Sequence, residues 1–194
     1  MPLLRALVGR RAKCRVKAQA QSGLFALVLL LFGQLESYAQ TTATPEYQVK
    51  AVFLFNFAQF VTWPSQNSSD APFLIGILGD DPFGSYLDET VRGEEVNNRP
   101  LTIQRFRRSS NDLRNCNILF ISQSERDRAS QIISNLKGRS ILTVSDIDGF
   151  ADLGGMVQLF TERNKIRMRI NLDAVKAANL KISSKLLRVA EVTH

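Results

Sequence analysis

Histidine, cysteine and clustered carboxylates are the side chains that most often carry catalysis or hold a metal, and this sequence is poor in the first two. Its one histidine is His194, the last residue, where chains fray. Its two cysteines are Cys14 and Cys116, and zinc needs more thiolate and imidazole ligands than that set supplies. No serine sits in a nucleophile-elbow pattern, and no histidine is placed to act as its base. The adjacent acids Asp80 and Asp81 precede Pro82, which suits a helix N-cap and first-turn acid better than a carboxylate pair for catalysis. Gly79 and Gly84 lack the third glycine of a dinucleotide fingerprint, and Pro82 removes a donor that would face phosphate. Asp146, Asp148 and Asp152 lack the glycine and closing glutamate of a calcium loop. The expectation is a protein that is not an enzyme, with no catalytic residue, metal or cofactor.

Binding is the chemistry that remains. In Arg163-Asn164-Lys165-Ile166-Arg167-Met168-Arg169-Ile170-Asn171, a strand would turn Lys165, Arg167 and Arg169 to one side and Ile166, Met168 and Ile170 to the other. One side joins the core; the other is a basic row that, with Arg163, is a candidate partner-binding surface. The alternative is a solvated face whose charges discourage edge pairing. Arg105-Phe106-Arg107-Arg108 reads as a solvated strand end. A second candidate is the helix after Thr44. Its polar stripe is Gln48, Asn56, Gln59 and Thr62, with Val49, Phe53, Phe57, Phe60 and Val61 on the far side. Val52 and Phe55 project into the polar stripe beside Gln59, so these three are candidates for a dimer or partner contact.

The elements that would position these residues follow from periodicity and punctuation. Thr44-Pro45-Glu46 starts a helix that runs to Thr62 and stops at Trp63-Pro64. A polar loop follows from Asn67. Residues 73–78 form a continuous apolar run suited to a central strand, and Gly79-Asp80-Asp81-Pro82 turns the chain into a helix through about Val91. Strands are expected at 101–106, 117–122 and 140–144. Ser122-Gln123-Ser124-Glu125 reads as a capping box opening a helix to Leu136, and 147–153 as a short helix. Strands at 155–161 and 165–171 flank a hairpin signal at Glu162-Arg163-Asn164. Helices at 173–178 and 184–189 close the chain. Strands alternating with helices imply a single α/β domain: a mostly parallel sheet of about six strands, a terminal antiparallel hairpin, and helices on both faces.

The amino-terminal segment has a different character. Six basic residues from Arg5 to Lys17 precede the apolar run 24–32, and Ser37-Tyr38-Ala39 supplies small residues where a signal peptidase reads. The reading is a signal peptide over 1–39, cut after Ala39, ahead of one domain over 40–194. The run is shorter than the about 20 residues of a membrane span, so the mature chain is not expected to cross a membrane. Six of the 25 basic residues and one of the 18 acidic ones precede the cut, so the net charge falls from +7 to +2. A nucleic-acid partner does not follow from so small an excess. Cys116, the one cysteine beyond the cut, opens an apolar run and reads as a half-buried strand thiol.

Several segments carry a resemblance in order. Lys50-Ala51-Val52-Phe53-Leu54-Phe55-Asn56-Phe57-Ala58-Gln59-Phe60-Val61-Thr62-Trp63-Pro64 resembles the opening helix of the YfiR/HmsC family of periplasmic proteins. Gly79-Asp80-Asp81-Pro82-Phe83-Gly84, Cys116-Asn117-Ile118-Leu119-Phe120-Ile121-Ser122, Leu142-Thr143-Val144-Ser145-Asp146, Gly149-Phe150-Ala151, Gly154-Gly155-Met156-Val157, Arg167-Met168-Arg169-Ile170-Asn171-Leu172 and Ile182-Ser183-Ser184-Lys185-Leu186-Leu187 continue it. The resemblance implies a periplasmic repressor, expected here as a homodimer, that contacts the outer sensing domain of a membrane diguanylate cyclase or similar sensor protein. It would hold that partner inactive, lowering cyclic di-GMP and biofilm growth. The best-known member carries several cysteines whose disulfide state is tied to activity, and this sequence departs there. The alternative is a periplasmic small-ligand-binding domain feeding a sensor kinase or cyclase, for which a deep pocket near Gly79 to Gly84, Ser122 and Ser145 to Gly149 would speak. A hydrolase using carboxylates alone ranks last.

The export reading makes a direct prediction. Intact mass and amino-terminal sequencing of the protein recovered from the cell envelope should give a chain beginning at Gln40. Recovery of the unprocessed chain alone would refute the cut.

Overall fold

Three short strands form the centre of the described domain because nearly every one of their side chains is buried on one face of the sheet or the other. They are β2 (Phe73–Leu78), β5 (Ile118–Ile121) and β6 (Leu142–Ser145). The computed structural model describes residues 43–64, 71–107 and 111–194. The expected signal peptide and cut at Ala39, Arg108, and the loop from Asn67 as far as residue 70 lie outside the described residues. The remaining strands are β1 (Val61–Thr62), β3 (Glu95–Val96), β4 (Arg99–Phe106), β7 (Val157–Glu162), β8 (Lys165–Asn171), β9 (Lys181–Ile182) and β10 (Glu191–Thr193). Eight strands make one sheet in the order β10-β8-β7-β6-β5-β2-β4-β3, and β1 pairs with β9 beside it. The pairings β4-β2, β2-β5, β5-β6, β6-β7 and β8-β10 are parallel. The hairpins β3-β4 and β7-β8 are antiparallel. The mostly parallel α/β sheet and its late hairpin are as the sequence indicates.

Alternation along the central strands divides the core in two. Phe73, Ile75, Ile77, Ile118, Phe120, Leu142 and Val144 pack with α1 (Pro45–Phe60) and α2 (Ser85–Val91). Val175 of α4 (Leu172–Ala177) and Leu186 of α5 (Ser184–Leu187) join the same cluster. Leu78, Leu119 and Ile121 pack on the opposite face against Ala129, Ile132 and Leu136 of α3 (Ala129–Leu136). Helices therefore cover both faces, and each fully buried Leu, Ile or Phe contributes about 1.5–3 kcal/mol.

The hairpin turn falls at Arg163 and Asn164, whose φ values of 49° and 59° mark the two central residues of a type I′ turn. Asn97 and Asn98, at 53° and 62°, make the same turn between β3 and β4.

Four local expectations are corrected. The segment 147–153 is a series of turns, with Phe150 N–H on Ile147 O (3.1 Å) and Leu153 N–H on Gly149 O (3.0 Å), because Gly149 and Gly154 take positive φ. The helix to Leu136 opens as a 3-10 stretch, Gln123–Arg128. Its capping box does not form: the Ser122 side chain makes no cap bond, and Glu125 is buried, paired with Arg128 at 2.9 Å. Asp80 and Asp81 do not cap α2, whose N-cap is Gly84 at φ 54°. Instead Asp81 Oδ1 accepts the Phe83 N–H (2.7 Å) and Oδ2 accepts Arg105 Nε (2.7 Å). Arg105 also forks onto both oxygens of Asp88 and onto Gly84 O, so it ties β4 to α2 rather than ending a strand in solvent.

Cys116 is more buried than a half-exposed strand thiol, at 4 % exposure, and burial pushes its pKa up to about 12. Its Sγ lies 2.6 Å from where a β-carbon on Gly76 would stand, with Phe106 Cε2 at 2.8 Å. Gly76 has ordinary φ, so its requirement is steric: β2 approaches Cys116 and Phe106 too closely for a methyl group. Gly76→Ala should lower unfolding free energy by about 1–3 kcal/mol in urea titrations, as overpacking does. Adding Cys116→Ala should recover part of the loss, and no recovery would point away from this contact.

Candidate functional site

α1 is positioned at both ends by specific polar contacts. At its far end the chain leaves the helix at Val61 in extended conformation, as the approach to Pro64 favours. There Val61 pairs with Ile182, Ser183 N–H reaches Phe60 O (2.9 Å), and the Trp63 indole N–H donates to Asn117 O (3.2 Å). The Trp63 ring stands edge-on to Phe73 at 4.9 Å.

At its near end the fixing element is a buried charge cluster. Pro45 occupies the first turn, and Gln48 N–H closes onto Thr44 O (3.0 Å), although the Thr44 hydroxyl makes no cap bond. One turn further, the Lys50 ammonium lies 2.6 Å from Glu46 Oε1 and 2.6 Å from Asp146 Oδ2, with its residue 2 % exposed. The Tyr47 hydroxyl donates to the same Asp146 oxygen (2.8 Å), and Lys50 Nζ sits 4.3 Å from the Tyr47 ring centre. Thr161 of β7 donates to Glu46 (3.1 Å), and the Gln123 amide donates to the Asp146 carbonyl (2.5 Å). Asp146 Oδ1 is buried without a hydrogen-bond partner among the described residues. The hydrogen bond from Lys50 holds the Glu46 carboxyl below the usual carboxylate range, and burial, then the Asp146 contact, raises the Tyr47 phenol.

Asp146 immediately follows β6, so the cluster lies at the carboxyl ends of the parallel strands. It borders an open cleft of about 520 Å³ whose other walls include Gln123, Asp148, Phe160 and Arg169. The turn at Gly79 adds nothing to the cleft, being packed against Ser124 and Glu125.

With Lys50, Ala51, Leu54, Phe57 and Ala58 turned inward, Val52 and Gln59 are exposed and Phe55 is half-buried. These three share one side of the helix at spacings of three and four. Gln59 also reaches Glu95 O at 3.4 Å. Val49, expected on the buried side, joins the exposed side at 46 % exposure beside Val52 at 41 %. The physical reason is that α1 is apolar almost all round, so hydropathy does not orient it; the buried ion pair does.

The basic row alternates as expected, with Lys165 and Arg167 exposed, Arg169 partly so, and Met168 and Ile170 buried. It is not uniformly free charge. Arg169 pairs with Glu191 (3.0 Å) and lies 5.2 Å from the Phe160 ring, and Arg167 stands 3.8 Å from Glu162. Arg163 is exposed at the hairpin tip. The structure brings Arg169 to the rim of the same cleft as Lys50. Sequence reasoning did not single out Glu46, Tyr47, Lys50 and Asp146 as one cluster. The available signal was a lysine four residues after a glutamate inside an otherwise apolar helix.

Among the described residues no helix is long and apolar enough to cross a membrane. A sequence model of the family described as YfiR/HmsC-like matches residues 47–191.

Removing one member of a buried ion pair strands its partner, at about 3–5 kcal/mol. Lys50→Met should therefore destabilise the protein by that order in chemical denaturation. Lys50→Met with Asp146→Leu should be distinctly less harmful than the two single changes summed. Additive losses would mean that the pair is not coupled.

Proposed function

This chain belongs to the YfiR/HmsC-like family, and on that premise we propose that it is a periplasmic repressor that docks on the outer sensing domain of a membrane diguanylate cyclase and holds it inactive. The family is one of regulators rather than catalysts, which supports a role exerted through surface contact. The observation that carries the reading is α1. Its inner side is fixed by the Lys50–Asp146 pair and its outer side leaves Val49 and Val52 in solvent. Exposed apolar side chains on a rigid helix form a contact surface that loses little freedom on binding. Phe55 and Gln59 extend that strip, and the same strip would serve a second copy of the chain in a homodimer. Arg163 at the hairpin tip, with Lys165 and Arg167 on the face of β8 turned away from Met168 and Ile170, would supply a separate basic surface for acidic groups on the partner. Release then requires a signal that changes the relative affinity for two partner states.

A second reading, a small-ligand receptor feeding the same kind of sensor, is favoured by the open cleft beside Asp146.

Val49→Asp with Val52→Asp touches exposed positions only, so the fold should be kept. Binding to the cyclase's purified outer domain should weaken at least tenfold, about 1.4 kcal/mol, and cellular cyclic di-GMP should rise. Sedimentation of the same variant reports whether self-association uses the strip. A folded double variant with full capture and full repression would remove α1 from the interface.

A further inference from the structure

At the amino ends of β2, β5 and β6, opposite the Lys50 cluster, lies a second cleft, of about 540 Å³. Arg99, Arg114, Arg139, Asn115, Asn117 and Ser140 are among its walls, and no lining residue is acidic. Several other arginines of this protein are neutralised by carboxylates: Arg105 by Asp81 and Asp88, Arg128 by Glu125, Arg169 by Glu191. Arg99, Arg114 and Arg139 have no carboxylate partner among the described residues. Three like charges converging on one concavity repel one another, and a bound anion relieves that repulsion.

Arg99 is built in rather than merely present. Its Nε donates to Ala71 O (2.7 Å), and its Nη2 donates to Pro72 O (2.8 Å) and meets Asn117 Oδ1 (3.4 Å). Its guanidinium lies 5.7 Å from the Phe73 ring centre. These contacts fix the plane of the group and leave Nη1 without an acceptor among the described residues. Asn117 is 5 % exposed and pinned in turn: its N–H donates to Leu74 O (2.8 Å) and its Oδ1 accepts the Leu74 N–H (3.0 Å). Its side-chain Nδ2 makes no bond among the described residues, so it too is a donor to spare. Arg114 closes a 3-10 turn and Arg139 follows α3, where cations favour helix carboxyl ends. That preference explains each of those two positions singly. It does not explain Arg99, or the convergence of all three on one wall.

We propose that this cleft binds a phosphate group, carried either by a small organic phosphate or by a phospholipid headgroup. Planar guanidinium forks match phosphate oxygens, and the cleft is in the size range of small-ligand sites rather than of a bare ion. The site is separate from α1, so it stands or falls independently of the protein-partner reading.

The test uses the purified protein with inorganic phosphate, glycerol 3-phosphate, and vesicles of phosphatidylglycerol or phosphatidylcholine, with chloride balancing ionic strength. Arg114→Gln with Arg139→Gln removes two charges from positions that are not buried. Arg92→Gln with Arg107→Gln removes two exposed charges outside the cleft. Saturable calorimetric binding of phosphate or its ester, at least tenfold weaker in the cleft variant and unchanged in the control variant, supports the proposal with a soluble ligand. Flotation with phosphatidylglycerol but not phosphatidylcholine vesicles, lost only in the cleft variant, supports it with a headgroup. Binding no tighter than chloride and no selective flotation, or equal losses in both variants, overturns it.

Discussion

The Lys50–Asp146 ion pair is the constraint on which the placement of the opening helix depends. A lysine inside an apolar helix can be buried only where an opposite charge compensates its lost hydration. Asp146 stands at the end of β6, the strand between β5 and β7, so the bond can form only when α1 crosses the sheet at one height and in one rotation. Tyr47, on the turn before Lys50, reaches the same Asp146 oxygen only in that rotation, whereas Glu46 meets Lys50 within the helix itself. Apolar contacts alone would not choose it. Phe53, Phe55, Phe57 and Phe60 are distributed around the helix, and several rotations would bury a comparable area. The pair therefore contributes specificity as well as cohesion, and it accounts for Val49 and Val52 being left outside.

This constraint links fold to function through preorganisation. A helix held by charge at one end and by Trp63, β1 and β9 at the other presents its outer strip in a fixed geometry. The strip is small, so in the proposed complex affinity would depend on that rigidity and on neighbouring polar contacts rather than on area alone. The two ends of the sheet differ in the same terms. At the carboxyl end Lys50, Arg126 and Arg169 each meet a carboxylate. At the amino end Arg99 meets only neutral oxygens among the described residues, and positive charge is left facing the cleft.

What was legible in the sequence was whatever depends on local repetition. The central strands β2 and β5 are uninterrupted apolar runs, the β8 row alternates, and Pro45 and Pro64 bracket α1; each is a short-range pattern with one physical solution. What was not legible depends on partners distant in sequence. Asp81 looked like a helix cap because its neighbours suit one, yet Arg105, on the adjoining strand, takes its carboxylate. Glu125 has the spacing of a capping box, but burial gives it to Arg128. Two- and three-residue strands such as β3 and β10 show no period, and the Asn97-Asn98 turn has no glycine to mark it, although both residues tolerate left-handed backbone. The motif around Lys50 does not show its role, because a buried lysine is identified by its acceptor, and Asp146 lies almost a hundred residues away in the chain.

The state of Cys116 bears on how a regulator of this kind could switch. A thiol packed against Gly76 and Phe106, with its pKa raised to about 12 by burial, holds almost no thiolate at neutral pH. It is also the one cysteine among the described residues, and it is free. A disulfide exchange confined to this domain therefore has neither a reactive sulfur nor a second one to pair with. A switch of the proposed repressor that needs no covalent change would act at the surface of α1, at the basic row, or through a ligand that reshapes either. For such a switch the size of the response is limited by the difference in binding energy between the states, not by the tightness of either. A fixed helix serves that requirement well, because a rigid surface discriminates between two partner shapes that a pliable one would accommodate equally.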